Sequence, residues 1–217
     1  MDWKRMAPLT GAAFVVLLVV GFIVGGETPD FDDSAQDVVS FYSSHESSQT
    51  VSAILGAYAV LFFVFFAGNL RAALRRTEEP PGVLSAVSFG GALLVAVGGL
   101  IFSGLTFILA DIADEETIDP VVSQTLNTLS GEFFIPLAVG TGIFLIATGI
   151  AILRGAALPR WLGWVALVVG ILAVTPAGFF AFLAMLAWVL VASVTMYLRT
   201  PAAVAASPPR GSPGAPM

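Results

Sequence analysis

The chain has 217 residues, of which 57% are hydrophobic and only 11% charged, and its mean hydropathy is +0.93. Ordinary soluble domains do not have this balance, so we expect a multi-pass membrane protein. The absence of cysteine excludes disulfides, thiolate nucleophiles and cysteine metal sites, and the single histidine, His45, excludes haem held between two histidines. We therefore expect neither redox chemistry nor a cofactor.

Six long stretches without charge predict the membrane spans. A bilayer core of about 30 Å requires roughly 20 apolar residues at a rise of 1.5 Å per residue. The stretches cover residues 9–26, 51–70, 83–110, 133–153, 161–174 and 178–198. The fifth is the shortest, and only the turn residues Thr175-Pro176-Ala177-Gly178 separate it from the sixth. The sequence predicts an all-α, polytopic membrane helical bundle of six transmembrane helices, arranged as three hairpins with two short amphipathic outer helices.

The positions of the charges predict the orientation. Short loops that carry lysine and arginine stay in the cytoplasm, and all nine bases flank the predicted spans on one side. These bases are Lys4, Arg5, Arg71, Arg75, Arg76, Arg154, Arg160, Arg199 and Arg210. In the opposite connections the charged residues are all acids: Glu27, Asp30, Asp32, Asp33, Asp37 and Glu46, then Asp111, Asp114, Glu115, Glu116 and Asp119. We expect both termini in the cytoplasm and an anionic outer surface.

The ends of the chain allow further predictions. The first stretch has the basic start and apolar run of a signal peptide, but Val24-Gly25-Gly26 is a poor cleavage site and the run is long for that role. We therefore interpret it as a retained span and leave cleavage as the alternative. Residues 200–217 consist almost entirely of alanine, proline, serine and glycine, which predicts a disordered cytoplasmic tail after a membrane domain over residues 1–199.

Matches at one spacing indicate an internal repeat of membrane hairpins. The predicted hairpins cover about 8–76, 81–158 and 159–199, and the third has no outer segment. The offset between the first two is 83 residues: Asp32-Asp33-Ser34 recurs as Glu115-Glu116-Thr117, Val38-Val39-Ser40 as Val121-Val122-Ser123, and Leu70-Arg71 as Leu153-Arg154. The alternative is chance recurrence in a chain rich in these residue types.

Two short helices are predicted in the acidic connections. Ser34-Ala35-Gln36-Asp37 has the spacing of a capping box, and Val38, Phe41 and Tyr42 then share one face. The second helix begins with Asp119 as cap and Pro120 at its first position. Its apolar stripe is predicted from Val122, Leu126 and Leu129. Such helices lie along the bilayer surface or fold over the bundle, and the lack of basic residues favours packing on the bundle.

Glu132 is the ionisable residue nearest to the interior of a predicted span. Pro136 lies one turn later and frees the carbonyl of residue 132, so a cation would find two oxygens there. The alternative is a carboxylate at the water interface, where the start of a helix favours negative charge.

Other candidate residues surround the same predicted surface. Asp111, Asp114, Glu115 and Glu116 are hard-cation ligands by type, but their spacing matches no calcium loop, so a solvated acidic loop is the other interpretation. His45 could bind a metal or respond to pH, or it could simply be solvated at the end of a helix. No phosphate loop, serine nucleophile elbow or HExxH motif is present.

Spaced glycines and the tryptophans predict packing rather than chemistry. Glycines recur at seven or eight residues in the third to fifth spans, which lets helices approach closely. Trp188 lies in the middle of a span and requires a partner for its indole N–H.

The chain resembles a family of uncharacterised actinobacterial six-span integral membrane proteins that is grouped as a domain of unknown function. The resemblance rests on Ala67-Gly68-Asn69-Leu70-Arg71, the turn Leu158-Pro159-Arg160-Trp161-Leu162-Gly163-Trp164 and Thr175-Pro176. It covers the spans but not the tail, and it implies a bacterial inner-membrane location without implying an activity. Eight arginines against one lysine are also typical of proteins from bacteria with GC-rich genomes.

Three functions remain open from the sequence. The first is a non-catalytic accessory or interaction protein of the bacterial plasma membrane, whose partners are the lipid bilayer and a membrane protein or a second copy, without nucleic acid. The second is a small cation or solute transporter or channel with an acidic outer vestibule near Glu132 and Asp111. The third, a membrane enzyme, lacks the histidine and base partners that its chemistry would require.

Overall fold

A computed structural model describes residues 6–30, 32–113, 115, 117–132 and 134–205 of the chain. A 3₁₀ turn over Ala7–Leu9 leads into α1 (Thr10–Gly25). The remaining helices are α2 (Ala35–Ser44), α3 (Glu46–Arg75), α4 (Val83–Asp111), α5 (Pro120–Glu132), α6 (Phe134–Gly155), α7 (Arg160–Ala173) and α8 (Gly178–Ala205). The fold class predicted from the sequence, an all-α membrane bundle, is confirmed.

Five helical segments in the described part of the chain are long and apolar enough to cross a membrane. They are Ala7–Gly25, Glu46–Arg75, Val83–Asp111, Pro120–Gly155 and Gly178–Arg199. The predicted fifth span is also a helix, α7, but its 14 residues cover only about 21 Å. The predicted break between the last two spans is confirmed. There, the Thr175 hydroxyl donates to the carbonyl of Leu172 and accepts from the backbone N–H of Ala177.

The long helices run antiparallel, so the bundle has two chemically distinct ends. The acidic end holds the last residues of α1, α4 and α7, the first residues of α3, α6 and α8, and both short helices, α2 and α5. The basic end holds the opposite termini of the long helices and every described arginine: Arg71, Arg75, Arg76, Arg154, Arg160 and Arg199.

Glycine allows α4, α6 and α7 to pack with almost no space between their backbones. A Cβ at Gly140 would lie 2.9 Å from the backbone nitrogen of Val95 in α4, and one at Gly149 would lie 2.7 Å from the carbonyl oxygen of Gly163 in α7. Real side chains do not come that close, so larger residues would separate these helices. The predicted role of the glycines in close helix approach is confirmed.

The middle of the bundle is filled by packed aromatic rings. Phe63 of α3 contacts Phe14 of α1, with ring centroids 4.8 Å apart, and Phe144 of α6 edge to face at 5.7 Å. Phe144 in turn meets Trp188 of α8 at 6.0 Å. The indole N–H of Trp188 donates to the carbonyl of Leu162 at 2.9 Å, which supplies the partner that the sequence analysis required. No acid, lysine or arginine among the described residues is buried.

The first and last helices meet at the basic end. The Ser193 hydroxyl of α8 accepts a hydrogen bond from the backbone N–H of Ala12 at 3.1 Å and donates to the carbonyl of Pro8. Beyond this contact, α8 continues to Ala205 and so includes the first six residues of the segment predicted to be disordered. Residues 206–217 of that predicted tail lie outside the described residues.

Candidate site at the acidic end

The helix α2 begins where the sequence predicts and buries the predicted face. The backbone N–H of Asp37 donates to the Ser34 hydroxyl at 3.2 Å, and that hydroxyl donates to the Asp37 carboxylate at 2.6 Å. Val38 and Tyr42 are buried. They form a small apolar cluster with Leu109 near the end of α4 and Ala113 just after it. The predicted cap by the Ser34 hydroxyl is confirmed, although the Asp37 carboxylate accepts from that hydroxyl and not from the Ser34 backbone N–H as in a full capping box. The helix α2 packs onto the bundle.

The helix α5 has the predicted cap but not the predicted buried face. The backbone N–H of Val121 donates to the Asp119 carboxylate at 3.0 Å. Val122 and Leu129, however, are 45% and 43% exposed, whereas Ser123 and Asn127 are buried. The predicted apolar stripe is therefore wrong for these two residues, although Leu126 packs against the apolar cluster of α2. Asn127 faces inward instead, and its amide bonds the loop after α1.

Amide side chains of α5 hold the loop that follows α1. Asn127 donates from Nδ2 to the carbonyls of Pro29 and Asp30, each at 3.2 Å, and its Oδ1 accepts from the Tyr42 hydroxyl at 3.5 Å. Gln124 donates to the carbonyl of Asp33 at 2.8 Å. A loop needs donors for its carbonyls when it is held against other protein, so α5 acts as a clamp on the first acidic connection.

Tyr42 lies at the centre of this clamp. Burial raises the pKa of its phenol to about 12, because removing the hydroxyl from water disfavours the charged phenolate. The folded clamp therefore requires the neutral phenol.

The candidate carboxylates that the structure describes do not come together as a metal site. Glu132 is the last residue of α5 and is exposed, so its carboxylate is not buried in the bundle. Asp111, the last residue of α4, and Glu115 are exposed as well. In the described ranges, no three histidine or carboxylate side chains lie close enough together to hold a metal ion. Asp114 and Glu116 lie outside the described residues.

His45 marks the junction between α2 and α3. Its ring stacks on Phe41, with centroids 4.6 Å apart, and Nδ1 lies 2.9 Å from the Phe41 carbonyl and 3.0 Å from the Ser44 hydroxyl. All of these partners belong to the preceding helical turn. The exposed imidazole is thus held locally and is not directed toward the carboxylates of α4 or α5.

Two concave regions lie next to this clamp. A cavity of about 140 Å³, called the polar cavity here, lies between α1, α3 and α4, and Thr28, Gln49, Ser52 and Thr106 contribute its polar side chains. An aromatic cleft of about 240 Å³ lies between α1, α4, the start of α6 and α8. Its aromatic lining consists of Phe22, Phe102, Phe134, Phe179 and Phe182. Phe22 and Phe102 line both regions.

Sequence reasoning missed Gln49 as a site residue. Gln49 is only 1% exposed, and its Nε2 donates to the carbonyl of Gly25 at the end of α1, at 2.7 Å. In the sequence it lies in the polar run Ser47-Ser48-Gln49-Thr50, outside the predicted second span. Only the antiparallel pairing of α1 with α3 brings it against an open carbonyl.

Comparison with known proteins adds no relative to this description, since no family model, no curated protein and no solved structure matches the chain.

Proposed function

We propose that this chain is a non-catalytic integral membrane protein of the bacterial plasma membrane with an accessory or interaction role. The single observation that carries the proposal is the packed middle of the bundle, where rings from α1, α3, α6 and α8 contact one another in sequence. Carriers and channels commonly have ionisable groups or a water-filled space at that depth. The buried hydroxyls of Ser88 in α4 and Thr148 in α6 instead bond each other at 2.7 Å. The described part of the chain buries no acid, lysine or arginine.

The orientation is part of this proposal. The described arginines collect at one end of the bundle and the exposed acids of α2, α4 and α5 at the other. Under the positive-inside rule, the basic end and both termini face the cytoplasm. Arginine-rich, lysine-poor composition supports the bacterial source, and membership of the actinobacterial six-span family stays a prediction that rests on its motifs.

The helix order also supports the predicted duplication. In α1–α2–α3 and again in α4–α5–α6, a long helix leads to a short helix at the acidic end and then to a returning long helix. In both units the short helix is capped by a side-chain oxygen, from Ser34 in the first and from Asp119 in the second. We therefore propose that the two units are repeats that share an orientation in the membrane.

For the aromatic cleft, the occupant that we propose is a lipid acyl chain. The cleft has almost no polar surface, and Phe22, Phe102 and Phe179 are exposed at its opening. A helix about 10 Å across would fill 240 Å³ with a length of only about 3 Å. An acyl chain is thin enough to enter, and contact with such chains is part of an accessory role in the membrane.

Reconstitution into liposomes tests the absence of transport. We expect sodium and potassium flux no faster than in protein-free vesicles, and no difference between the parent chain and Glu132→Gln. Flux above the empty-vesicle rate that Glu132→Gln abolishes would overturn the proposal and favour a channel with an acidic vestibule.

Lipid retention tests the cleft. Gly131 lines the cleft and has open space around its Cα, as does Gly104 on the exposed face of α4 outside the cleft. We expect native mass spectrometry to show fewer retained lipids for Gly131→Leu than for the parent, and no change for Gly104→Leu. Equal lipid retention in the two variants would rule out acyl-chain binding in the cleft.

A further inference from the structure

The polar cavity at the acidic end has the features of a binding site. It lies between α1, α3 and α4, and its walls combine glycine backbone with four oxygen-bearing side chains: Gln49 and Ser52 of α3, Thr106 of α4, and Thr28 of the loop after α1. The lining residues are Leu18, Gly21, Phe22, Gly25, Gly26, Thr28, Gln49, Ser52, Ala53, Gly56, Phe102 and Thr106. Glycine leaves room beside the Ser52 hydroxyl, since a Cβ at Gly25 would lie 2.9 Å from its oxygen.

Hydrogen-bond acceptors outnumber free donors in this cavity. The Ser52 hydroxyl donates its only proton to the carbonyl of Gly21 at 2.9 Å, and the Thr106 hydroxyl donates to that of Phe102 at 3.1 Å. The Gln49 amide turns Nε2 to the carbonyl of Gly25, which leaves Oε1 without a donor among the described residues. The Ser52 and Thr106 hydroxyls and the Gln49 amide oxygen keep lone pairs, against one remaining amide N–H of Gln49 and the hydroxyl proton of Thr28.

The surrounding charges favour a cation. The cavity adjoins the C-terminal end of α1, where the carbonyl ends of the helix carry partial negative charge. The exposed carboxylates of Glu27 and Asp30 follow directly in the next loop. All described arginines lie at the other end of the bundle. A positively charged donor is therefore attracted to the cavity and meets no like charge on entry.

The size and the remaining surface indicate which kind of cation fits. A cavity of about 140 Å³ has room for a small organic ion of a few atoms heavier than hydrogen. The rest of the lining is apolar and includes two aromatic rings, Phe22 and Phe102, which tolerate a hydrocarbon and attract a cation. An ammonium group supplies three donors, as many as the lining side-chain oxygens that belong to the helices, those of Gln49, Ser52 and Thr106.

We propose that this cavity is a binding site for a small primary alkylammonium ion. Its ammonium group donates to the oxygens of Gln49, Ser52 and Thr106, and its short alkyl chain lies against Phe22 and Phe102. The inference goes beyond the accessory role, because a packed bundle without a passage can still bind a ligand at its surface.

The test uses n-propylammonium as the probe and the full chain in an uncharged detergent. Isothermal titration gives its Kd for the parent and four variants. We expect Ser52→Ala and Thr106→Val each to raise the Kd about tenfold, since each removes one oxygen that bonds a charged donor. The matched control for Thr106→Val is Thr195→Val, because both hydroxyls donate to the carbonyl four residues earlier in their own helix and Thr195 lies outside the cavity. The second control is Ser48→Ala, at a serine of α3 that lies outside the cavity and donates to the carbonyl of His45. The controls should leave the Kd unchanged.

Two further ligands test the chemistry of the site. Neutral n-propanol should bind at least about tenfold more weakly than n-propylammonium, because it lacks the charge. Sodium at the same concentration should not displace the probe. Equal affinity for the alcohol, displacement by sodium, or equal effects of site and control variants would each overturn the proposal. Should Ser52→Ala fail to give a monodisperse helical protein, Thr106→Val against Thr195→Val decides alone.

Discussion

The two short helices of the acidic end, α2 and α5, occupy corresponding places in the chain and are built on opposite chemistry. The helix α2 buries Val38 and Tyr42 against the end of α4. The helix α5 buries Ser123 and Asn127 and exposes Val122 and Leu129. One helix is thus held mainly by apolar contact and the other mainly by hydrogen bonds to a loop.

The pattern of apolar residues alone does not specify which face of a short helix is buried, because the chemistry of the neighbouring surface also contributes. When the neighbour is an apolar surface, burial of the apolar face is favoured by about 25 cal/mol per Å². When the neighbour is a loop with open carbonyls, leaving those groups unbonded costs about 1–3 kcal/mol for each one that is buried. For α5 the second contribution is decisive, since the carbonyls of Pro29, Asp30 and Asp33 all accept from its amides.

The largest expected effect comes from removing the amide of α5. In Asn127→Leu, two loop carbonyls and the Tyr42 hydroxyl lose their partner, and we expect the clamp to weaken by about 2 kcal/mol. Backbone amides of Asp30 and Asp33 should then exchange with solvent roughly 30-fold faster, as measured by hydrogen exchange and mass spectrometry.

Asn69→Leu is the control for this substitution. Asn69 donates mainly to the carbonyl of Phe65 in its own helix, at 2.7 Å, and lies toward the basic end. Its loss should leave exchange in the loop unchanged. An unchanged rate in Asn127→Leu itself would show that hydrogen bonds do not hold α5 in place.

Removal of the N-cap side chain should destabilise α2 and α5 by similar, intermediate amounts. Ser34→Ala and Asp119→Ala each remove a side-chain oxygen that accepts from the first turn, at a cost of about 1 kcal/mol. Asp119→Ala should cost slightly more, since its charge also interacts with the helix dipole. Hydrogen exchange within α2 and α5 measures both, and Ser40→Ala, an exposed position inside α2, should not destabilise. A large difference between the two helices would mean that the caps do not act alike.

The substitution Tyr42→Phe should change the stability of the clamp least at neutral pH. At high pH it should change how that stability depends on pH. The 3.5 Å bond from its hydroxyl to Asn127 contributes about 0.5 kcal/mol at most. Its pKa is raised from 10 to about 12, so the stability due to the neutral phenol is complete below pH 10 and is lost as the pH rises toward 12.

Loop exchange rates followed through that range check the pH dependence. The parent chain should show a transition that Tyr42→Phe removes, whereas Tyr58→Phe, at an exposed tyrosine of α3, should retain it. A transition that persists in Tyr42→Phe would contradict the assignment to this phenol.

Much of the fold follows from local patterns in the sequence. The predicted third span, 83–110, coincides with α4 to one residue. The run between Gly82 and Asp111 has no charged residue, and in a membrane such a run forms a helix along its whole length because its backbone groups must bond each other. The second span is underestimated: α3 covers Glu46–Arg75 and extends about five residues beyond the apolar run at each end. Polar residues continue a helix readily once it leaves the hydrocarbon, so hydropathy does not mark where the helix ends.

The site was less predictable, and the reason is the distance along the chain between its parts. Glu132 and Asp111 were candidates for an acidic vestibule because they are acids at the ends of predicted spans, yet both are exposed. Gln49 has no local signal, because its burial depends on a carbonyl at Gly25, 24 residues earlier. Side chains whose partners come from another helix are identified only when the packing of the helices is known.

The contact of Ser193 with Pro8 and Ala12 sets an order of assembly for the polypeptide. The N–H of Ala12 lies in the first turns of α1, where donors lack partners within the helix, and here it is bonded by a residue of the last helix. During synthesis the first hairpin emerges long before Ser193 is translated. The contact between the first and the last helix therefore forms only after α8 has inserted. In a nascent chain arrested before α8, the backbone N–H of Ala12 and the carbonyl of Pro8 lack the Ser193 hydroxyl as partner.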